Sequence, residues 1–221
     1  MRVAGEEYVR QVARWPQQGR VILAQYDADS VVVYQAYKQS IGQFASSHGY
    51  FGGDFKLGRM SWIKTNFLWL MYRSEWGTAK DQEVILAVWL RRTAFEEILS
   101  EAVHSSFMAD MYPSETAWRK MLKDSNVRVQ WDPDHDPRGG RVQRRAIQLG
   151  LRGRALARYA KEWILGIEDI SGFVRKQREH VLTGHLEKLT TPREEVYPVK
   201  DRAVAERLGI TAIVPREMRD R

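Results

Sequence analysis

The chain has 221 residues, a formal net charge of +7, 43% hydrophobic residues, eight Trp and no Cys. This content favours a packed domain over disorder. The lack of Cys excludes disulfides, thiol nucleophiles and cysteine-ligated zinc. Because we find neither a signal-peptide core nor an apolar run near the roughly 20 residues that cross a bilayer, we expect a soluble, cytoplasmic protein without a membrane partner.

The first half of the chain predicts a lead-in, two strands and two helices. Residues 1–20 are expected to form a helical lead-in. The spacing of apolar residues predicts a helix that ends at Gly49. Residues 66–75 are apolar on all sides, which predicts a buried helix capped by Asn66 or Thr65. The two β-rich runs are residues 21–26 and 31–37.

The second half mixes strands and helices without strict alternation. A continuous apolar run at 83–90 predicts a strand that is covered on both faces, and Thr93–Glu96 has the pattern of a capping box. Further strands are predicted at 127–131, 143–151 and 167–170, and further helices from Ser114, after Gly153, and from Ser171 to Leu182. This order favours an α+β domain at 21–182 with a mixed β-sheet, whole or split, flanked by helices. Residues 183–221 are polar and broken by proline, so we expect a loosely attached tail.

The most basic stretch of the sequence lies between Arg138 and Lys161, with eight basic residues and no acidic one. Extended to Arg178, it holds eleven basic residues against three acidic ones. Such a local field indicates a polyanion or a phosphorylated small molecule as partner. The alternative is an arginine-rich surface that is merely solvated.

A second candidate site is the segment 59–64. If this segment is extended, Arg59 and Ser61 share one face, and Trp62 and Lys64 share the other. Arginine and serine together can hold a phosphate, and Trp62 can stack on a base; otherwise Trp62 is a core anchor of a surface strand. Tyr72 and Arg73 end the following helix, where a polar tip can reach the same cleft; the alternative for Tyr72 is packing in the core.

A third candidate is the acidic cluster Asp132–Asp136. Its three carboxylates and one imidazole are open to three interpretations. The cluster binds a divalent metal, or Asp134 or His135 acts as a general base, or the cluster is a turn that pairs with the following arginines.

The strand that follows this cluster places two adjacent arginines on opposite faces. Arg145 shares a face with the apolar residues of the strand, so we expect it to lie at the open end of the strand or to pair with Asp132 or Asp136. Gln148 points the other way, together with Arg144. We expect Arg59, Ser61 and Trp62 to share one cleft with Arg144, Arg145 or Gln148.

Four segments, at residues 34–37 (YQAY), 58–77, 130–137 (QWDPDHDP) and 144–153 (RRAIQLGLRG), resemble the family known as domain of unknown function 4291. The resemblance runs in the same order from about Val31 to Arg178, and so covers most of the chain. It implies a self-contained globular domain and brings no particular activity with it.

A weaker resemblance, at the level of the fold plan, is to the ADP-ribosyltransferase superfamily, whose members hold NAD in a cleft between two small sheets. It implies NAD as the cofactor. The usual His-Tyr-Glu set is not matched in this sequence. The corresponding positions here would be Gln35 and Tyr37 on the first strand, Ser61 or Tyr72 next, and Gln148 or Asp132 last.

Two functions follow as hypotheses. The first is an enzyme-like domain that binds a nucleotide or nucleic-acid phosphate, as an NAD-using ADP-ribosyltransferase would. The second is a noncatalytic RNA- or DNA-binding module. For the enzyme, the candidate catalytic residues are Asp134, His135 and Gln148. The candidate cofactor-binding residues are Gln35, Tyr37, Arg59, Ser61, Trp62, Tyr72, Arg144 and Arg145.

Overall fold

A computed structural model describes residues 2–211, which form twelve β-strands and eight α-helices. None of the helices in this part of the chain has the length and apolar character needed to span a bilayer. The strands are β1 (Gly5–Glu7), β2 (Gly19–Arg20), β3 (Leu23–Ala24), β4 (Ser30–Tyr37), β5 (Ser61–Lys64), β6 (Val84–Arg91), β7 (Ala102–His104), β8 (Val127–His135), β9 (Arg141–Leu151), β10 (Ile164–Asp169), β11 (Thr190–Pro192) and β12 (Glu195–Val196). The helices are α1 (Tyr8–Val12), α2 (Gln39–His48), α3 (Phe67–Ser74), α4 (Arg92–Glu101), α5 (Glu115–Asp124), α6 (Gly153–Lys161), α7 (Ser171–Leu182) and α8 (Arg202–Arg207).

The main sheet has the strand order β10-β6-β4-β5-β9-β8-β7, and the short β2 pairs with the far end of β9. The pairs β7–β8 and β2–β9 are parallel, and the other pairs are antiparallel. Two small sheets, β1–β11 and β3–β12, join the two ends of the chain to the body. The predicted α+β domain with a mixed sheet is therefore confirmed.

Strand β6 explains the packing of one half of the sheet. Its alternating residues belong to two apolar clusters, one on each face, as the continuous apolar run predicts. Helices α2, α4 and α6 contribute to the first cluster, and α1, α3 and α7 contribute to the second or flank it.

Across the main sheet the second apolar cluster extends as far as β4, and it includes no residue of β5, β8 or β9. The register continues across the sheet from Tyr34 to Lys64, then to Gln148 and Gln130. Directly opposed residues of neighbouring strands point to the same face. A row of polar side chains therefore replaces the apolar cluster on this face, and these side chains are available to a site.

Several local predictions can be compared with the structure. Helix α2 ends at Gly49, whose φ of 74° is the left-handed conformation that favours glycine. The Asn66 side chain caps α3 by accepting a hydrogen bond from the Trp69 amide. The predicted capping box at Thr93 is wrong. Strand β6 runs directly into α4, which begins at Arg92, so Thr93 already lies inside the helix.

The C-terminal segment up to residue 211 packs into the body, which differs from the loosely attached tail that we expect from the sequence. Leu189, Tyr197 and Leu208 are fully buried, and the Trp131 indole donates a hydrogen bond to the Leu208 carbonyl. Isolated apolar residues between prolines have no helical or strand period, so periodicity does not reveal this packing. Residues 212–221 of the predicted tail lie outside the described residues.

We predict that Leu189→Ala lowers the free energy of unfolding by about 2–5 kcal/mol, the usual cost of truncating a fully buried leucine. Leu182→Ala is the matched control, because Leu182 is 66% exposed and its loss should change stability by less than about 0.5 kcal/mol. Urea denaturation measures both values. Equal stability of the two variants would mean that the segment after residue 182 is not part of the folded core.

Candidate functional site

A cleft of about 750 Å³ opens where β4 and β5 separate. The two strands pair in register only at Tyr34 and Lys64, so their remaining residues diverge around the cleft. Its walls carry six basic side chains against one acidic one, Asp81. The basic residues are Lys38, Lys56, Arg59, Lys64, Arg73 and Lys80.

A second cavity, of about 460 Å³, continues the cleft along the polar row of the sheet. The two cavities share Trp62, Lys64, Arg73 and Gln82 among their lining residues. The residues that the second cavity adds include Gln130, Asp132 and Gln148. The candidate site is therefore one elongated cleft, which we call the basic cleft.

One wall of the basic cleft is a network of neutral hydrogen-bonding side chains. Gln35 is buried, and its Nε2 donates to Tyr37 Oη (2.8 Å) and Ser61 Oγ (2.9 Å), while its Oε1 accepts from Tyr159 Oη (2.6 Å). Burial raises the pKa values of both tyrosines, so both phenols keep their protons at neutral pH. The network fixes the positions of Tyr37 and the Ser61 hydroxyl at the cleft.

The Trp62 indole lies across Gly150 of the neighbouring strand. A Cβ atom at Gly150 would be 3.0 Å from two carbons of the Trp62 ring and 2.6 Å from the Met60 sulfur. Only glycine avoids these contacts, so Gly150 creates the space that the indole occupies. Because Trp62 is only half-buried and lines both cavities, part of its ring remains available to a ligand.

Three polar side chains meet on the floor of the basic cleft. Asp132 accepts hydrogen bonds from Gln130 Nε2 (2.8 Å) and from Gln148 Nε2. Gln148 is thus the one member of the predicted catalytic set, Asp134, His135 and Gln148, that lines the basic cleft. We expected segment 59–64 and Gln148 to line one cleft, and Trp62 and Gln148 do line the same cavity.

Asp134 and Arg144 lie outside the basic cleft, in a buried ion pair. Asp134 Oδ2 is 2.6 Å from Arg144 Nη2 and accepts a further bond from Arg144 Nε at 2.7 Å. Arg144 also donates to the Pro16 carbonyl, and its guanidinium lies over the Trp15 ring. The bonded Asp134 carboxylate is completely inaccessible, so this pair holds segments together rather than facing a ligand.

His135 is also buried, and it stacks on Tyr72 with Trp69 near-parallel beside both rings. Its ring centroid lies 3.6 Å from that of Tyr72 and 5.3 Å from that of Trp69. Neither ring nitrogen has a hydrogen-bond partner among residues 2–211. Burial lowers the pKa of His135, which keeps the imidazole neutral. Tyr72 covers this histidine and is not part of the cleft lining.

The basic run that is conspicuous in the sequence does not form one surface. Arg152 donates to the carbonyls of Lys123 and Ser125, and Arg158 pairs with Glu97 and Glu162. Much of the positive charge of this run is therefore tied to the protein itself.

The expected carboxylate partner of Arg145 is absent among residues 2–211. Arg145 is exposed but does not lie at an open strand end, since it pairs with Arg20 of β2 and Pro133 of β8. Its neighbour Arg144 makes the buried pair, with Asp134 instead of Asp132 or Asp136. Pro16 and Trp15 of the N-terminal segment cover Arg144. This cover explains why Arg144, on the polar face of β9, is buried while Arg145 on the opposite face is exposed.

The acidic cluster does not converge on a metal. Asp132 faces the cleft, Asp134 joins the buried pair, and Asp136 Oδ1 accepts from the amides of Arg138 and Gly140. Within residues 2–211, no three His, Cys, Asp or Glu side chains are grouped to hold a metal ion. Asp136 thus forms a turn, one of the three interpretations of the cluster.

The sequence indicated Arg73, at the end of α3, but it did not indicate Lys38, Lys56 and Lys80, which come from separate segments. Their only common property is their position in the fold, and no sequence motif marks it. The sequence did indicate Lys64, because strand alternation places it on the same face as Trp62.

The chain belongs to the family described as Domain of unknown function (DUF4291), whose model matches residues 21–197. The predicted resemblance to this family is therefore confirmed. Among curated proteins, none matches the chain. The matched range contains every residue of the basic cleft named above.

We predict that Arg144→Gln lowers the free energy of unfolding by about 3–5 kcal/mol, because it leaves the Asp134 carboxylate buried without its cation. Arg145→Gln, at the adjacent exposed position, should change it by less than about 0.5 kcal/mol. Chemical denaturation of both variants measures the difference. Comparable losses for the two would show that burial of the ion pair is not what stabilises this region.

Proposed function

We propose that the basic cleft binds the phosphate groups of a nucleotide and that the domain is an enzyme acting on that nucleotide. The observation that carries the proposal is the charge of the cleft, which has six basic side chains and one acidic one around a cavity that also contains an indole. A volume of about 750 Å³ lies within the roughly 300–1,000 Å³ that is usual for small-molecule sites.

Two arginines are the proposed phosphate ligands. Arg59 and Arg73 are exposed, and within the described residues neither is engaged in an ion pair. The planar guanidinium group offers a fork of donors that matches phosphate geometry. Trp62 is the proposed stacking surface for the base, since every nucleobase has a π-face and stacking does not depend on its sequence.

NAD is the proposed nucleotide, and ADP-ribosyl transfer is the proposed reaction. In support, the cleft lies where β4 and β5 part, and proteins of the ADP-ribosyltransferase superfamily hold NAD between two small sheets. Gln35, Tyr37 and Ser61 form one wall of the cleft, and Gln148 and Asp132 lie on its floor. These are positions at which the resemblance places functional residues. Asp132 would be the carboxylate available for proton transfer.

Noncatalytic binding of RNA or DNA is the alternative. The basic run at 138–161 suggested it, but the ion pairs and carbonyl contacts of that run reduce its support. The same basic cleft with its half-buried indole is the surface that would bind a single strand. Enzyme and binder differ in turnover and in the salt dependence of binding.

We predict saturable binding of NAD or ADP to the wild-type protein, measured by calorimetry and by a rise in the unfolding temperature. Arg59→Gln and Arg73→Gln should each weaken binding about tenfold, since a hydrogen bond to a charged group contributes about 1.5 kcal/mol at the lower end. Arg154→Gln is the control, because Arg154 is exposed and outside the cleft lining.

Release of nicotinamide from NAD tests the reaction itself, and Asp132→Asn should reduce it more than it reduces binding. Binding of single strands that weakens steeply with salt, without any turnover, would favour the alternative. No saturable binding of either ligand class, or equal weakening by Arg154→Gln, would refute the phosphate site.

A further inference from the structure

Lys64 occupies an unusual environment at the centre of the basic cleft. It is only 8% exposed, yet it lines both cavities. Within residues 2–211, its amine has neither a hydrogen-bond acceptor nor a carboxylate within ion-pair distance. A lysine side chain is almost never buried to this extent unless it is paired, and here the amine has no such partner.

The groups that face Lys64 come from every element around it. Arg73 of α3 and Asp132 of β8 act on its charge, while Tyr34 of β4 and Gln148 of β9 lie beside it in the register. Burial, followed by the positive charge of Arg73, lowers the pKa of Lys64 from 10.5 to about 8, and Asp132 opposes this only in part. The environment therefore makes this amine lose its proton more readily than an ordinary lysine does.

A neutral amine suits nucleophilic chemistry better than simple phosphate binding. A phosphate ligand would benefit from a fixed positive charge, which the arginines of the cleft already provide. Desolvation and a neighbouring cation are the two devices that activate a lysine as a nucleophile. With a pKa of about 8 in place of 10.5, the neutral fraction at pH 7 is about 300-fold larger than for an ordinary lysine.

We propose that Lys64 is a reactive amine that forms an imine with the carbonyl group of a phosphorylated aldehyde or ketone bound in the basic cleft. The amine nitrogen bonds to the carbonyl carbon while the carbonyl π-electrons pass to oxygen, and Asp132 carries one of the two amine protons to that oxygen, which gives a carbinolamine. Loss of the hydroxyl group as water then leaves the carbon–nitrogen double bond. Asp132 accepts the proton from nitrogen and returns it to the departing hydroxyl. No oxidant or reductant is needed.

The ligand class follows from the same residues. Arg59 and Arg73 would hold the phosphate, and Lys64 lies between the two cavities, where it can reach the carbonyl end. The position given to the phosphate rests on the proposed function. The reactivity of the Lys64 amine does not depend on the proposed function.

Pyridoxal 5′-phosphate and pyridoxal are suitable probes, because both carry an aldehyde and only the first carries a phosphate. Each probe is added to the full chain, the imine is reduced with borohydride, and modified lysines are identified by peptide mass spectrometry. Lys38, Lys56 and Lys80 are internal controls, since they line the same cleft but are exposed. At pH 7 we expect Lys64 to be labelled at least tenfold faster than any of these three.

The pH dependence of labelling separates a reactive amine from mere proximity to the probe. The rate at Lys64 should rise with pH through a midpoint near 8. Lys64→Arg keeps the charge but cannot form an imine, so labelling in this peptide should disappear. Lys123→Arg, at an exposed position outside the cleft, should leave it in place.

The two probes distinguish this inference from the proposed function. Rapid labelling of Lys64 by both probes with equal efficiency would support the reactive amine and contradict the phosphate site. A strong preference for the phosphorylated probe with labels spread over Lys38, Lys56 and Lys80 would support the phosphate site and overturn the reactive amine. A midpoint above pH 10 at Lys64 of the wild-type chain would also overturn it, even if Lys64→Arg failed to fold.

Discussion

The four residues of β5 join the two halves of the main sheet, and the basic cleft exists because they join them unevenly. β5 pairs with β9 along its whole length, but with β4 it is in register only at Tyr34 and Lys64. Beyond that pair the strands part, and Gln35 bridges the gap by donating to Ser61 and to the Trp62 carbonyl. The apolar cover of the sheet ends at the same point, which leaves polar side chains on the floor of the cleft.

The buried ion pair contributes to the cleft indirectly, by fixing the start of α3. Asn66 caps this helix and also donates to Asp134, the partner of Arg144. Glu194, from the C-terminal segment, accepts a hydrogen bond from the amide of Phe67, the first residue of α3. Helix α3 carries Arg73 into the cleft, so distant parts of the chain determine where this cation lies.

Local features of the fold could be predicted from the sequence, and features that depend on distant cover could not. The helix stop at Gly49 and the cap at Asn66 follow from backbone chemistry within a few residues. The environments of Arg144 and Arg145 depend on the N-terminal segment, which strand periodicity does not include. The same limit applies to the site: segment 59–64 was identified by composition, whereas the environment of Lys64 depends on α3, on the neighbouring strands β4 and β9, and on Asp132 of β8.

Hydrogen–deuterium exchange with and without saturating NAD or ADP shows most directly where the protein binds a nucleotide. If the basic cleft is the site, backbone amides in peptides covering residues 55–64 and 73–82 should exchange more slowly with ligand, because both segments line it. Peptides covering residues 138–147 and 152–161 should be unchanged. Protection of peptides 138–147 and 152–161, with none of peptides 55–64 and 73–82, would contradict the account. It would identify the arginine-rich run as the binding surface.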